Sequence, residues 1–119
     1  MGAVGIVVGN PKPQSRTLMV AREVARRAAE AAGLDARDAV EVDLAVLAPQ
    51  VFDWSSPAVK DAVARVAATS LLVVASPTYK ATYTGLLKAF LDWYPTTGLA
   101  GVVAVPVMVG AGEAHALAV

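Results

Sequence analysis

Leu71-Leu72-Val73-Val74-Ala75, followed at once by Ser76-Pro77-Thr78-Tyr79-Lys80-Ala81-Thr82-Tyr83-Thr84-Gly85-Leu86-Leu87-Lys88, is the most informative part of this chain. Five apolar residues without a polar break predict a strand covered on both faces, the habit of parallel sheets. Pro77 then fixes the backbone, and Thr84-Gly85 opens an amphipathic helix over residues 84–93. A loop that leaves the carboxyl end of a strand and enters a helix is where open α/β sheets hold their ligands. This one carries a Tyr and a Lys between its Pro and its helix.

The flanking segments repeat the same alternation. Residues 57–68 predict a helix, apolar at Val59, Ala62, Val63 and Val66, with Pro57 suited to its first turn. Residues 45–56, which include Pro49, Phe52 and Trp54, read as a long connection. Ala39-Val40-Glu41-Val42-Asp43-Leu44 alternates, as an edge strand exposed on one side does. Before it, Gln14 or Ser15 caps a helix that runs to about Ala32 and is stopped by Gly33. Leu18, Ala21, Val24 or Ala25, Ala28 and Ala32 line its apolar face, and the many Ala residues place it close against a sheet. Ala3-Val4-Gly5-Ile6-Val7-Val8 is another core strand. Beyond the turn Pro95-Thr96-Thr97-Gly98, residues 102–109 form a fourth strand, also core-like, and Gly110-Ala111-Gly112 leads into a helical fragment ending at Val119.

Four strand–helix units imply right-handed crossovers, a parallel sheet and one α/β domain over residues 1–119. Two features strain that reading. Pro106 lies inside the fourth run, where it cannot donate a ladder hydrogen bond, so a bulge or a local end of pairing is expected there. The chain also stops one helix and one strand short of a five-stranded sheet of order 2-1-3-4-5, which leaves the fourth strand an edge for another chain to cover.

Composition removes several function classes. The 119 residues carry 10 basic and 10 acidic side chains with no strongly basic segment, so the footprint of a nucleic-acid binder is missing. There is no Cys, which excludes disulfides and thiolate chemistry, and the single His115 cannot make a multi-histidine metal site. No apolar run reaches membrane-spanning length, and no secretory signal pattern opens the chain, so a soluble cytoplasmic protein is expected.

A second candidate site follows the first strand, in Gly9-Asn10-Pro11-Lys12-Pro13-Gln14-Ser15-Arg16-Thr17. Unpaired amides and the dipole at a helix start favour an anion, Ser15 and Thr17 add hydroxyl donors, and the Arg16 guanidinium can engage phosphate oxygens in pairs. The loop has neither the Gly-Lys-Ser/Thr of a Walker loop nor a Gly-x-Gly-x-x-Gly fingerprint, and fits a terminal monophosphate better than a pyrophosphate. Taken alone it fits an ordinary Ser-capped helix with an exposed Arg equally well.

Together these residues resemble the NADPH-dependent FMN reductase family. Its Gly-Ser/Asn-Pro-x-x-x-Ser-Arg-Thr/Ser pattern is present as Gly9, Asn10, Pro11, Ser15, Arg16 and Thr17, positions that wrap the FMN phosphate in that family. Its Ser/Thr-Pro-x-Tyr-x-x-x-x-x-Gly-x-Leu-Lys pattern matches Pro77, Tyr79, Gly85, Leu87 and Lys88. The chain is most similar to FMN reductases of two-component systems, such as those serving alkanesulfonate monooxygenases, where Tyr-Lys-Ala recurs. A Thr-Gly-Gly-Ser loop touches the flavin ring in similar reductases, and Val109-Gly110-Ala111-Gly112 stands in its place, keeping the backbone but not the side chains.

The resemblance implies a flavodoxin-like three-layer α/β/α fold with a parallel sheet, and a flavin site of Asn10, Gln14, Ser15, Arg16, Thr17, Pro77, Thr78, Tyr79, Lys80, Gly110, Ala111 and Gly112. Pro77 and Tyr79 would flank the ring, and the amides of Tyr79 and Lys80 would face its heteroatoms. No catalytic side chain is expected: Lys88 and Tyr83 read as packing or solvated residues, and His115 as structural. The implied activity is hydride transfer from NADPH or NADH to FMN in a homodimer or homotetramer, with a flavin-dependent monooxygenase as a partner for the reduced flavin. The apolar helix at residues 84–93 would join the oligomer contact, with Trp93-Tyr94 as an exposed aromatic patch. Rival readings are an FMN electron carrier of the flavodoxin type, a quinone or azo reductase on the same fold, and a shortened oligomeric domain without flavin. Carriers are usually strongly acidic and this chain is balanced, which favours a reductase.

Overall fold

A computed structural model of the chain describes residues 2–111. Its elements are β1 (Val4–Val8), α1 (Arg16–Ala31), β2 (Val40–Asp43), α2 (Leu44–Leu47), α3 (Pro57–Ala67), β3 (Leu71–Pro77), α4 (Gly85–Leu91) and β4 (Val103–Val109). The strands are all parallel, in the order β2-β1-β3-β4. This is the flavodoxin-like order over four strands.

Alternation along the central strands assigns the two faces. Val4, Ile6 and Val8 of β1, with Leu71, Val73 and Ala75 of β3, pack against α1 through Leu18, Ala21, Ala25 and Ala29. Val7, Val42 and Leu72 point the other way, toward Val59 and Val66 of α3 and Leu87 and Phe90 of α4. The result is three layers, and the buried alanines of α1 let its axis lie close to the sheet. Each of the three longer helices starts on a buried hydroxyl. Ser15, Ser56 and Thr84 accept from the amides of Leu18, Val59 and Leu87 at 3.2, 3.3 and 3.1 Å. Ser15 rather than Gln14 is therefore the cap of α1, and Gly33, at φ +72°, ends it in the left-handed conformation. No helix among the described residues is long and apolar enough to cross a membrane.

Four expectations need correction. The connection over residues 45–56 is partly helical, since α2 and a 3₁₀ turn at Ala48–Gln50 fill its first half. The core-like reading of residues 102–109 fails in its burial: β4 is the last strand of the described sheet, with the open edge expected of it, and Val103 is 63% exposed. Pro106 causes neither bulge nor break: register runs unbroken from Leu71↔Val103 to Pro77↔Val109. The reason is the phase of the ladder. Val103 donates to Ser70 O and Val109 accepts from the Thr78 amide, both at 2.9 Å, so the odd-numbered residues of β4 bond to β3. Parallel pairing alternates, which turns the nitrogen of Pro106 to the open side, where no donor is needed.

The fourth correction concerns Trp93 and Tyr94, which are half-buried rather than an exposed patch. Trp93 Nε1 donates to Val51 O and the Tyr94 hydroxyl to Val63 O, each at 2.8 Å, and burial pushes the Tyr94 phenol above its ordinary range. The exposed aromatics on this side are Phe52 and Trp54, the latter packed on Trp93 with ring centres 4.6 Å apart. The expected helical fragment after Gly112 lies outside the described residues.

Candidate functional site

Val8 pairs with Ala75, so the loops that follow β1 and β3 leave the sheet side by side. They are tied together by buried bonds. The Gly9 amide donates to Ala75 O at 2.8 Å, and the Thr84 hydroxyl donates to Gly9 O at 2.6 Å while capping α4. The Thr84 amide donates in turn to Ser76 Oγ at 3.0 Å. The approach is close: a Cβ on Gly9 would stand 2.8 Å from Leu87 Cβ and 3.1 Å from Thr84 Oγ1.

The first loop is held by its own side chains. Asn10 Oδ1 accepts the Lys12 amide at 2.9 Å, and Asn10 Nδ2 donates to the buried Thr17 hydroxyl at 3.1 Å. Gln14 has φ +52°, and its amide donates to Asp43 Oδ2 at the end of β2, at 3.1 Å. Ser15 and Thr17 are buried, and each hydroxyl oxygen accepts one bond and keeps its proton to give. The amides of Ser15, Arg16 and Thr17 meet no acceptor among the described residues, as expected of a helix start.

The second loop is a tight hairpin. Tyr79 and Thr82 exchange both backbone bonds, at 2.8 and 3.1 Å, around Lys80 at φ +50° and Ala81 at φ +67°. Two successive positive φ values match a type I′ turn, made here without glycine or asparagine. The Tyr79 amide is thereby committed to Thr82, which leaves the Lys80 and Ala81 amides at the apex as the backbone donors this turn can offer a ligand. The Thr78 amide donates to Val109 O at 2.9 Å, and Thr78 Oγ1 is buried without a hydrogen-bond partner among the described residues. That bond brings the exposed Gly110 and Ala111 beside Pro77 and Thr78. Gly112 and His115 lie outside the described residues.

Among the described residues, three unpaired cations lie in or beside the same two loops. Arg22, Arg26, Arg27, Arg37 and Lys88 each pair with a carboxylate. Lys12, Arg16 and Lys80 make no ion pair among the described residues, nor do Lys60 and Arg65 of α3. The non-glycine residues with positive φ among those described, Gln14, Lys80 and Ala81, all lie in these loops. Such backbones cost on the order of 1 kcal/mol each and gather at functional sites. A groove of about 600 Å³ between α1 and β2 is larger, but its Arg22, Arg26 and Arg37 are already neutralised by Glu41, Glu23, Glu30 and Asp35. The Arg22 guanidinium holds Glu41 below the usual carboxylate range, so the groove keeps a balanced, mutually satisfied lining. A second groove, of about 290 Å³, runs between α4 and β4 past Ser76, Tyr83, Leu87, Leu91, Pro106 and Met108, and it adjoins the β3 loop.

Three positions went unrecognised as site residues in the sequence: Ser76 and Thr84, which weld the loops, and Asp43, which reaches the first loop from β2. Thr84 had a signal, a capping residue just before Gly85-Leu86-Leu87. Asp43 had only its place at a strand end, and its contact spans 29 positions in the chain.

A family model described as NADPH-dependent FMN reductase matches residues 3–119. FMN reductase (NADPH) of Escherichia coli K12 is 42% identical over 66 residues, 56% of this chain and 35% of that protein. FMN reductase (NADPH) of Pseudomonas putida KT2440 is 39% identical over 66 residues, 56% of this chain and 34% of its own length. The matches therefore span about a third of these curated relatives. Among solved structures, the apo form of an NADH:FMN oxidoreductase superposes with TM-score 0.85 at 33% identity, covering 99% of this chain and 63% of that one.

Proposed function

The chain belongs to the NADPH-dependent FMN reductase family, and from that premise we propose that it binds FMN and passes a hydride to it from NADPH or NADH. Supporting this above all is the convergence of strained, cationic, donor-rich loops at the carboxyl ends of two adjacent central strands. The residues fit such a ligand. Arg16, the hydroxyls of Ser15 and Thr17 and the amides at the start of α1 form a donor set for a phosphate monoester, with Asn10 and Gln14 shaping the loop. Pro77, Thr78, Tyr79 and Lys80 would line the ring side, where Thr78 Oγ1 is buried without a hydrogen-bond partner among the described residues, and Gly110 and Ala111 would close it. When bound, the flavin supplies N5 as the hydride acceptor.

The chain's own part is positioning. Fixing the phosphate and the ring at two welded loops would make the transfer effectively intramolecular, and on this reading the Lys80 amide stabilises negative charge on the reduced ring. No proton donor is required for hydride transfer, and none is assigned. On this reading the protein works in the cytoplasm as a homodimer or homotetramer, and a monooxygenase of the alkanesulfonate type consumes the reduced flavin.

The test is an anaerobic absorbance titration with FMN and then NADPH or NADH. Bleaching of a protein-bound flavin band, far faster than that of free FMN, is the expected result. A flavin that binds and stays oxidised would instead make the protein an electron carrier, and absence of binding would overturn the proposal.

A further inference from the structure

Asp43 closes β2 and occupies the capping position of α2, yet its carboxylate makes no bond to its own helix. A carboxylate there ordinarily accepts an amide of the first turn. Asp43 instead reaches across to the first loop, where Oδ2 accepts the Gln14 amide at 3.1 Å. Its other oxygen, Oδ1, is buried without a hydrogen-bond partner among the described residues. Gln14 is the residue whose backbone is left-handed, φ +52°, and it directly precedes the Ser15, Arg16 and Thr17 amides. The conformation of Gln14 sets the direction in which those donors point. A local cap has been given up, and one buried carboxylate oxygen left unmatched, to hold that conformation.

We infer that Asp43 is a positioning residue for phosphate binding: it clamps Gln14 and so presents the start of α1 to the phosphate monoester of FMN. This rests on the FMN reading above. The clamp acts through geometry and not through charge, because a negative carboxylate beside a phosphate is by itself unfavourable. That opposition makes the sign of the effect diagnostic. Simple electrostatics predicts that removing Asp43 tightens FMN, whereas the clamp predicts that it loosens FMN.

The experiment compares FMN with riboflavin, which has the same ring and no phosphate, by quenching of flavin fluorescence on the purified chain. Asp43→Ala is expected to weaken FMN at least tenfold while changing riboflavin less than twofold. Asp43→Asn, which keeps an acceptor of the same shape, is expected to stay within about threefold of wild type for FMN. Adding Gln14→Gly to Asp43→Ala is expected to recover part of the loss, because glycine enters the left-handed region unaided. If Asp43→Ala folds poorly, Asp43→Leu, which keeps the bulk of the side chain and lacks an acceptor, carries the same expectation, and the same results in it would overturn the clamp. Wild-type-like or tighter FMN binding in Asp43→Ala, or equal losses of FMN and riboflavin, would overturn the clamp alone. Failure of the wild-type chain to bind FMN would remove the FMN reading and the clamp together.

Discussion

Thr84→Val removes one hydroxyl and nothing else of consequence in volume, and it cuts the bond between the two loops. Thr84 is 2% exposed; its hydroxyl donates to Gly9 O at 2.6 Å and accepts from the Leu87 amide at 3.1 Å. Valine loses the cap of α4, worth about 1 kcal/mol. It also leaves the buried Gly9 carbonyl without this donor, at about 1–3 kcal/mol. The two effects add to about 2–4 kcal/mol, a large share of the roughly 5–15 kcal/mol by which domains are stable. Urea unfolding followed by fluorescence of Trp54 and Trp93 should show that loss as a lower midpoint with an unchanged slope. Thr84→Ser retains both bonds and should lose far less. FMN affinity should fall more in Thr84→Val than in Leu72→Ala, a control buried near the opposite end of β3 and expected to cost about 2–5 kcal/mol. Stability within about 0.5 kcal/mol of wild type, the range of a neutral surface change, would refute the weld. Equal flavin losses in Thr84→Val and Leu72→Ala would show that the bond serves only the fold.

Gly9→Ala forces a Cβ to within 2.8 Å of Leu87 Cβ, so α4 must shift, and thermal unfolding should report a loss of about 1–3 kcal/mol, as for overpacking. The double variant Lys80→Asn, Ala81→Gly installs the favoured dipeptide of a type I′ turn and should stabilise the chain by about 1 kcal/mol; a lower melting temperature would refute the turn assignment. The Arg22–Glu41 pair gives a pH signature. Arg22 lowers the Glu41 pKa below its unfolded value of 4.5, so the pair's contribution is fully present above pH 4.5 and is lost as pH falls through the folded value. Arg22→Gln should therefore cost under about 1 kcal/mol at pH 7, since the pair is solvent-screened, and the difference should vanish in acid unfolding curves well below pH 4.5. A gap that persists in strong acid would mean that Arg22 acts through packing of its stem.

Much of this protein is legible locally. Unbroken apolar runs name β1 and β3, alanine spacing names the face of α1, and Ser15, Ser56 and Thr84 mark helix starts, because each depends on neighbours within a few residues. The three loop motifs are legible for the same reason, being short and contiguous. What the chain could not display along its length is who stands beside whom. β4 carries the composition of a central strand, and only the phase of its pairing with β3 makes Pro106 harmless. Trp93 and Tyr94 look like surface aromatics until the connection after β2 and helix α3 offer carbonyls 42 and 31 positions away. The Lys80-Ala81 turn lacks the glycine that would have announced it, so its left-handed backbones exist only because the flanking bonds compel them. Asp43 is an ordinary strand-end acid in sequence, and parallel packing of β2 against β1 alone brings it to Gln14. Periodicity records which face of an element is buried, whereas crossovers and sheet order choose its partners, and the candidate site is made of partners.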